Sequence, residues 1–227
     1  MAQLSQLPLF ANMEESDCLR MLDCFHTSPR TFHGGDTAYT YSAGTSPTLG
    51  ILQEGQAALV KIDAGGGRTV LERLSRGGVF GELVAFSSLP CDSVSLVCET
   101  DCVMVFLPQG KLTSPCGKAC SCHKQLLENL LGLMSQKAFD LSERVEVLSC
   151  RTIREKLLCY FRICAGQNQS LSFTLPFSLS DLADYICSDR SAMMRELKRL
   201  REEGFLEISG RNVRFKSSLC AASFPKE

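Results

Sequence analysis

Leu127, Leu131, Met134, Ala138, Leu141, Val145 and Leu148 are separated by 4, 3, 4, 3, 4 and 3 residues, an apolar stripe with a 3.5-residue period. A straight α-helix repeats every 3.6 residues, so a stripe held at 3.5 over three heptads favours two helices wound together, knobs into holes. The plainer alternative is a helix lying on its own domain. Leu126, Leu130 and Leu133 flank the stripe and widen it enough to allow both contacts. Residues 123–148 are therefore expected to form one long helix. Homodimerisation is the expectation for it, through Leu127, Leu131, Met134, Ala138, Leu141 and Val145.

The chain before this helix has a different texture. A short helix is expected over about residues 13–25, with Met13, Leu19, Met21, Leu22 and Phe25 as apolar contacts. From about residue 30 to 110, turn signals at Gly34-Gly35-Asp36, Gly65-Gly66-Gly67 and Gly77-Gly78 separate candidate strands. These strands are Leu49–Ile51, Ala57–Ile62 and Thr69–Leu74. Val94, Leu96 and Cys98 alternate, as do Cys102, Met104 and Phe106, so each of these two segments is expected to bury one face. Many short strands at close spacing indicate a small sandwich or barrel, closed off by Pro108 and Pro115.

After the long helix, Thr152 followed by Glu155 reads as a capping box that opens a helix over 153–164. A loop at Gly166–Ser170 and a short strand pair around Leu171–Phe177 are expected next. Residues 178–203 read as two short helices joined by a tight turn. Ser178 and Asp181 cap the first, whose apolar positions are Leu179, Leu182, Ala183 and Ile186. The second starts at Ser188-Asp189 and turns Ala192, Met193, Leu197 and Leu200 inward, leaving Arg190, Ser191, Met194, Arg195, Lys198, Arg199 and Arg201 outside. Gly204–Ile208 and Asn212–Phe215 then alternate around Ser209-Gly210-Arg211 as a β-hairpin. A helix so placed fits a DNA major groove, about 12 Å wide, with its N-terminal side chains on base edges.

Charge points the same way. Residues 1–149 carry a net −5 and residues 150–227 a net +4, so the overall −1 hides a basic last part suited to a polyanion. The 227 residues allow one large domain or two small ones, and 44% hydrophobic with 22% charged residues is ordinary for a soluble protein. No apolar run approaches the roughly 20 residues of a membrane helix. Met1-Ala2-Gln3-Leu4-Ser5 lacks the layout of a signal peptide, so a cytoplasmic protein is expected, with no membrane partner.

Thirteen cysteines, an odd number without a secretory signal, are expected to be free thiols. Cys116, Cys120, Cys122 and His123 form C-x3-C-x-C-H where the long helix should begin. Thiolates and imidazole can hold zinc, copper(I), haem or an iron–sulfur cluster, although the spacing is not the C-x2-C of structural zinc sites. The plainer reading packs these thiols under the helix start; no metal is assigned. The three histidines, at 26, 33 and 123, sit in unrelated contexts, and no nucleophile elbow, phosphate loop or carboxylate pair is present, so an enzyme is not expected.

In order and spacing, several segments together give a resemblance to a known family. They are Pro8-Leu9-Phe10, the glycine-punctuated strands, Phe80-Gly81-Glu82-Leu83, the heptad helix, Leu182-Ala183-Asp184-Tyr185, and Asp189 through Leu197. The chain resembles the catabolite activator/FNR (CRP/FNR) superfamily of bacterial transcription regulators. The resemblance implies an α+β fold. An effector-sensing, cyclic-nucleotide-binding-like β jelly roll would occupy residues 1–115, a long dimerisation helix 116–148, and a winged helix-turn-helix DNA-binding domain 149–227. It places Arg190, Ser191 and Arg195 at base-reading positions, with Ser178, Ser188, Lys198 and Arg211 as candidates for phosphate contact. The implied partners are double-stranded DNA with a pseudo-palindromic operator, a second copy of the chain, and RNA polymerase as a candidate. Family members often carry Glu where Ser191 stands, so the usual half-site does not carry over.

In cyclic-nucleotide-binding relatives a Gly-Glu segment contacts ribose and phosphate, and a downstream Arg-Ser pair neutralises the phosphate. Gly81-Glu82-Leu83 matches the first element, but the second reads Asp92-Ser93. No Lys or Arg lies between Arg76 and Lys111, whereas Glu82, Asp92, Glu99 and Asp101 do. Cyclic AMP is therefore not expected and no cofactor is assigned. Gly81, Glu82, Leu83 and Ser93 stand as candidates for the pocket of another effector. Two alternatives stay open: a metal- or thiol-based redox sensor using Cys116, Cys120, Cys122 and His123, and a winged-helix module that binds protein.

Overall fold

The computed structural model describes residues 3–41, 48–62, 68–82, 94–113 and 121–216. The chain divides into two compact units between Ser135 and Gln136.

The first unit opens with two 3-10 turns, Leu4–Gln6 and Pro8–Phe10, and helix α1, Glu15–Phe25. Eight strands follow: β1 (Arg30–Phe32), β2 (Thr37–Tyr41), β3 (Thr48–Glu54), β4 (Ala57–Ile62), β5 (Arg68–Leu74), β6 (Val79–Phe80), β7 (Val94–Cys98) and β8 (Cys102–Pro108). A short helix α2, Gln109–Thr113, leads toward α3, Ser121–Ser149. The strands make two antiparallel sheets, in the orders β1-β8-β3-β6 and β2-β7-β4-β5. The Glu99–Asp101 turn carries the chain from one sheet to the other.

Two apolar clusters hold this unit together. One lies between the sheets and contains Tyr41, Leu52, Phe80, Leu96, Cys98, Cys102, Met104 and Phe106. The other contains Leu49, Ile51, Val105 and Leu107, packed with Leu9, Phe10, Phe25, Leu126 and Leu130 from the helical elements. Strand β8 therefore serves both, and the expectation of a single buried face is corrected. Even-numbered side chains face the other sheet, while Val105 and Leu107 are covered by helices.

Helix α3 divides its apolar residues between two purposes, as its widened stripe allows. Leu126 and Leu130 are buried in the first unit, whereas Leu131, Leu141 and Val145 are 64%, 63% and 57% exposed. Ala138 is exposed as well, and Leu127 and Met134 are half-buried. Val147, near the other end, belongs to the core of the second unit.

The second unit continues with α4, Ile153–Gln167. Thr152 Oγ1 accepts from Glu155 N at 3.1 Å, and Glu155 Oε2 accepts from Thr152 N at 3.0 Å, completing the capping box. The helix runs three residues beyond the expected end. Strand β9 (Ser172–Thr174), helices α5 (Leu179–Tyr185) and α6 (Arg190–Glu202), and strands β10 (Leu206–Ser209) and β11 (Asn212–Phe215) complete it. The local strand pair expected around Leu171–Phe177 does not form. Pro176 lacks an N–H and the α5 cap starts at Ser178, so there is no room for a return strand. Strand β9 pairs instead with β11, giving a three-stranded sheet β10-β11-β9. Leu157, Phe161, Leu182, Ile186, Met193, Leu197, Leu200, Leu206 and Val213 fill the core beneath it. No helix among the described residues is long and apolar enough to cross a membrane.

Candidate nucleic-acid interface and effector site

The turn between α5 and α6 is set by local chemistry. Cys187 takes a left-handed conformation, φ 50°, which reverses the chain in few residues. Lys156 Nζ donates to the Ile186 carbonyl at 2.9 Å and closes the end of α5. Asp189 Oδ1 accepts from Ala192 N at 2.9 Å and starts α6. Burial of Met193, Leu197 and Leu200 then fixes which face of α6 remains outside. That outer face carries Arg190, Ser191, Met194, Arg195 and Lys198, spaced three and four apart so that they share one side. Among the described residues neither the Arg190 nor the Arg195 guanidinium has a hydrogen bond or ion pair. Lys198 meets Glu202 at 3.8 Å in open solvent, a contact worth little.

The other expected phosphate contacts fare differently. Ser178 Oγ donates to Asp181 Oδ2 at 2.7 Å and accepts from Asp181 N at 3.2 Å, and its backbone N–H also goes to that carboxylate. The hydroxyl is thus committed to the cap, with an acid beside it that repels phosphate. Ser188 Oγ is buried, and Ser188 N donates to the Ala183 carbonyl at 2.9 Å, so neither group is presented outward. In the structure both serines shape the turn. Lys198 and Arg211 are exposed, and Arg211 sits in the turn between β10 and β11, where its carbonyl accepts from Leu175 N at 2.8 Å.

Arg154 was not singled out by the sequence. Its guanidinium meets Glu196 at 3.2 Å, forms two hydrogen bonds to Glu203, and lies 4.9 Å over the Phe205 ring. It ties the start of α4 to the middle and end of α6. Glu196, in turn, meets Arg199 at 3.4 Å. Partners 42 and 49 residues apart leave no periodic signal in a single sequence. The hydrogen bonds from Arg154 hold the Glu203 carboxyl below its usual range.

Between the sheets of the first unit, Phe106 is ringed by Phe32, Tyr39 and Phe80 at centroid distances of 6.1, 5.7 and 5.8 Å. Gly81 has φ +82°, and a Cβ there would lie 2.0 Å from the Tyr41 hydroxyl, so no other residue fits this approach. Glu82 beside it is 5% exposed. Leu83 and Ser93, with Asp92, lie outside the described residues. Two of the four acids counted in this region are not part of any pocket. Glu99 pairs with Arg73 at 3.3 Å, and Asp101 accepts from Gly34 N at 3.0 Å and meets His33 at 3.5 Å, both on the outer turn. A cyclic phosphodiester needs cationic or N–H donors. Glu82 is buried next to the Gly81 turn, and the stretch between Arg76 and Lys111 supplies no Lys or Arg for a phosphate.

Of the C-x3-C-x-C-H set, Cys116 and Cys120 lie outside the described residues. Cys122 Sγ accepts from Arg20 at 3.8 Å. The His123 ring stands edge-on to Phe25 at 5.1 Å with Nε2 3.2 Å from the Lys111 carbonyl. Among the described residues no group of three or more His, Cys, Asp or Glu is placed to hold a metal ion.

Residues 29–117 match the family model of the cyclic nucleotide-binding domain. Over nearly its whole length the chain is also similar to solved regulators. The c-di-GMP responsive global regulator CLP of Xanthomonas campestris superposes with a TM-score of 0.58 at 17% identity, covering 90% of this chain and 100% of that one. A CooA variant from Carboxydothermus hydrogenoformans gives 0.62 at 12% identity, covering 98% and 95%. The fold is that of the CRP/FNR regulators. In sequence, "Probable transcriptional regulator flp" of Lacticaseibacillus casei is 25% identical over 174 residues, 75% of this chain and 71% of that protein. The matched segment 29–117 spans the eight strands described in the first unit, and the likeness to CLP and CooA extends over both units.

Proposed function

We propose that this chain is a homodimeric, sequence-specific DNA-binding transcription regulator of the CRP/FNR type. In this reading α5, α6 and the β10–β11 hairpin are a winged helix-turn-helix within a DNA-binding domain over 149–227, α3 is the dimerisation helix, and the roll over 1–115 receives a small signal. The observation that carries it is the outer face of α6, where Arg190 and Arg195 stand exposed and without protein partners among the described residues. Arg offers a bidentate fork to guanine, and Ser191 beside it donates or accepts. Lys198 and Arg211 serve the backbone phosphates.

Selection of DNA fragments by the purified chain, followed by sequencing, tests the reading directly. The expected result is an enriched pseudo-palindrome whose half-sites lie one DNA turn apart, on the order of 34 Å. Fragments recovered without a shared sequence would overturn it, and retention of proteins but no DNA would favour a winged helix that binds protein.

The signal is not a cyclic mononucleotide in this reading, because no Lys or Arg lies between Arg76 and Lys111 to neutralise its phosphate. Calorimetric titration with cyclic AMP or cyclic GMP is expected to show no saturable heat up to about micromolar concentrations. A micromolar dissociation constant for either would refute that part alone.

A further inference from the structure

Two thiols converge at the junction between α3 and α4. Cys150 follows the last residue of α3 and precedes the Thr152 cap of α4; its N–H donates to the Val147 carbonyl at 3.2 Å. Cys159 lies on the second turn of α4. Both sulfurs address one residue: Cys150 Sγ donates to the Glu146 carbonyl and Cys159 Sγ to Glu146 Oε1, each at 3.7 Å. Both thiols therefore lie against the same residue at the helix junction. Burial, then the neighbouring Cys150 and Glu146, push the Cys159 thiol up to about 12, so it keeps its proton at neutral pH.

Access separates this pair from Cys98 and Cys102. Cys98 and Cys102, at the two ends of the sheet-switching turn, are fully buried. Cys150 and Cys159 are half-buried, and Cys159 lines an open cavity of about 210 Å³ together with Glu146, Arg162 and Ile163. Cys150, itself partly exposed, is reached by a small oxidant directly from solvent.

We propose that Cys150 and Cys159 are a redox-active dithiol, oxidised by a hydroperoxide to an intramolecular disulfide that clamps the α3–α4 junction. The Cys150 sulfur attacks the distal oxygen of the peroxide, the O–O bond breaks, and the alcohol or water leaves with the Cys150 proton, giving a sulfenic acid. The Cys159 sulfur then attacks the Cys150 sulfur; the S–S bond forms, the S–O bond breaks, and the hydroxyl departs as water with the Cys159 proton. Two thiols and one hydroperoxide become one disulfide, one alcohol and one water. Two electrons pass from the sulfurs to the peroxide. Glu146 places the two sulfurs and takes no part in the electron balance. The inference stands apart from the DNA-binding reading, because nothing in it requires a nucleic acid.

The test uses the full chain, reduced and freed of reductant, then treated with hydrogen peroxide, alkylated, and mapped by mass spectrometry without reduction. The expected result is loss of both free thiols and recovery of the Cys150 and Cys159 peptides as one species two hydrogens lighter than their sum, reversed by a dithiol reductant. In Cys159→Ser the sulfenic acid at Cys150 persists and is trapped by dimedone. In Cys150→Ser, Cys159 remains alkylatable after peroxide. The inference is overturned if both cysteines stay alkylatable in the wild type while the exposed Cys24 and Cys187 oxidise, or if Cys150 is found joined to a cysteine other than Cys159.

Discussion

Two arginines show how differently one side-chain type is used. Arg195 is exposed and has no partner among the described residues, so its contribution is expected to appear only when DNA is bound. Arg195→Ala should leave thermal stability within about 0.5 kcal/mol. It should weaken binding to the selected operator by roughly 1–3 kcal/mol, with preference lost at one base position of each half-site. Competition gel shifts with single-base operator variants measure this; unchanged preference would show that another residue reads that base. Arg154 is used internally. The Glu203 carboxyl that it holds down is charged in the folded chain at pH values where the unfolded chain, near its ordinary 4.5, takes up a proton. The stabilisation is therefore complete above about pH 4.5 and is lost as pH falls through the lower folded value. Denaturant unfolding of wild type and Arg154→Ala should show a stability gap that narrows on acidification from about pH 6 toward pH 3. A gap independent of pH would mean that packing on Phe205, and not the ion pair, carries the effect.

At the level of elements, α3 was the most legible part of the chain, because seven apolar residues at a fixed period name both its existence and its exposed face. The capping boxes at Thr152 and Ser178 were equally legible, since a polar cap and an acid three residues on need no distant partner. What the sequence hid were relations at long range: the pairing of β9 with β11, the sheet switch at Glu99–Asp101, and the Arg154 cluster. Each depends on which segments meet, which local period does not encode. The same limit means that four acids counted along one stretch need not meet in space: two of them sit on an outer turn. For α3 the dimer reading makes a sharp prediction. Leu141→Glu replaces a residue 63% exposed in the single chain, so the fold should survive with unchanged helical circular dichroism. Light scattering should then fall from the mass of a dimer to that of one chain, and operator affinity should drop with it, because two half-sites are no longer held together. A dimer that persists in this variant would place the interface elsewhere.

For the whole molecule, charge is distributed in sequence as the proposed function would require, with −5 over residues 1–149 and +4 over 150–227. An interaction led by the second part should depend steeply on salt through counterion release. If six or more phosphates are neutralised by a dimer, affinity falls on the order of a thousandfold between about 50 and 200 mM salt. Filter binding across that range measures the slope, and a flat response would contradict a phosphate-led interface. The outward positions on α6 were legible because amphipathic spacing separates them from the inward ones.

The third strand beside the hairpin has a mechanical consequence. A two-stranded loop alone swings freely about its base, but β11 is stitched along its outer edge to β9, and the stitch continues through Leu175 N–H to the carbonyl of Arg211 itself. The tip is thereby splinted to the segment that runs into α5, so the cation it bears is braced against the start of the helix pair and does not hang as a trailing arm.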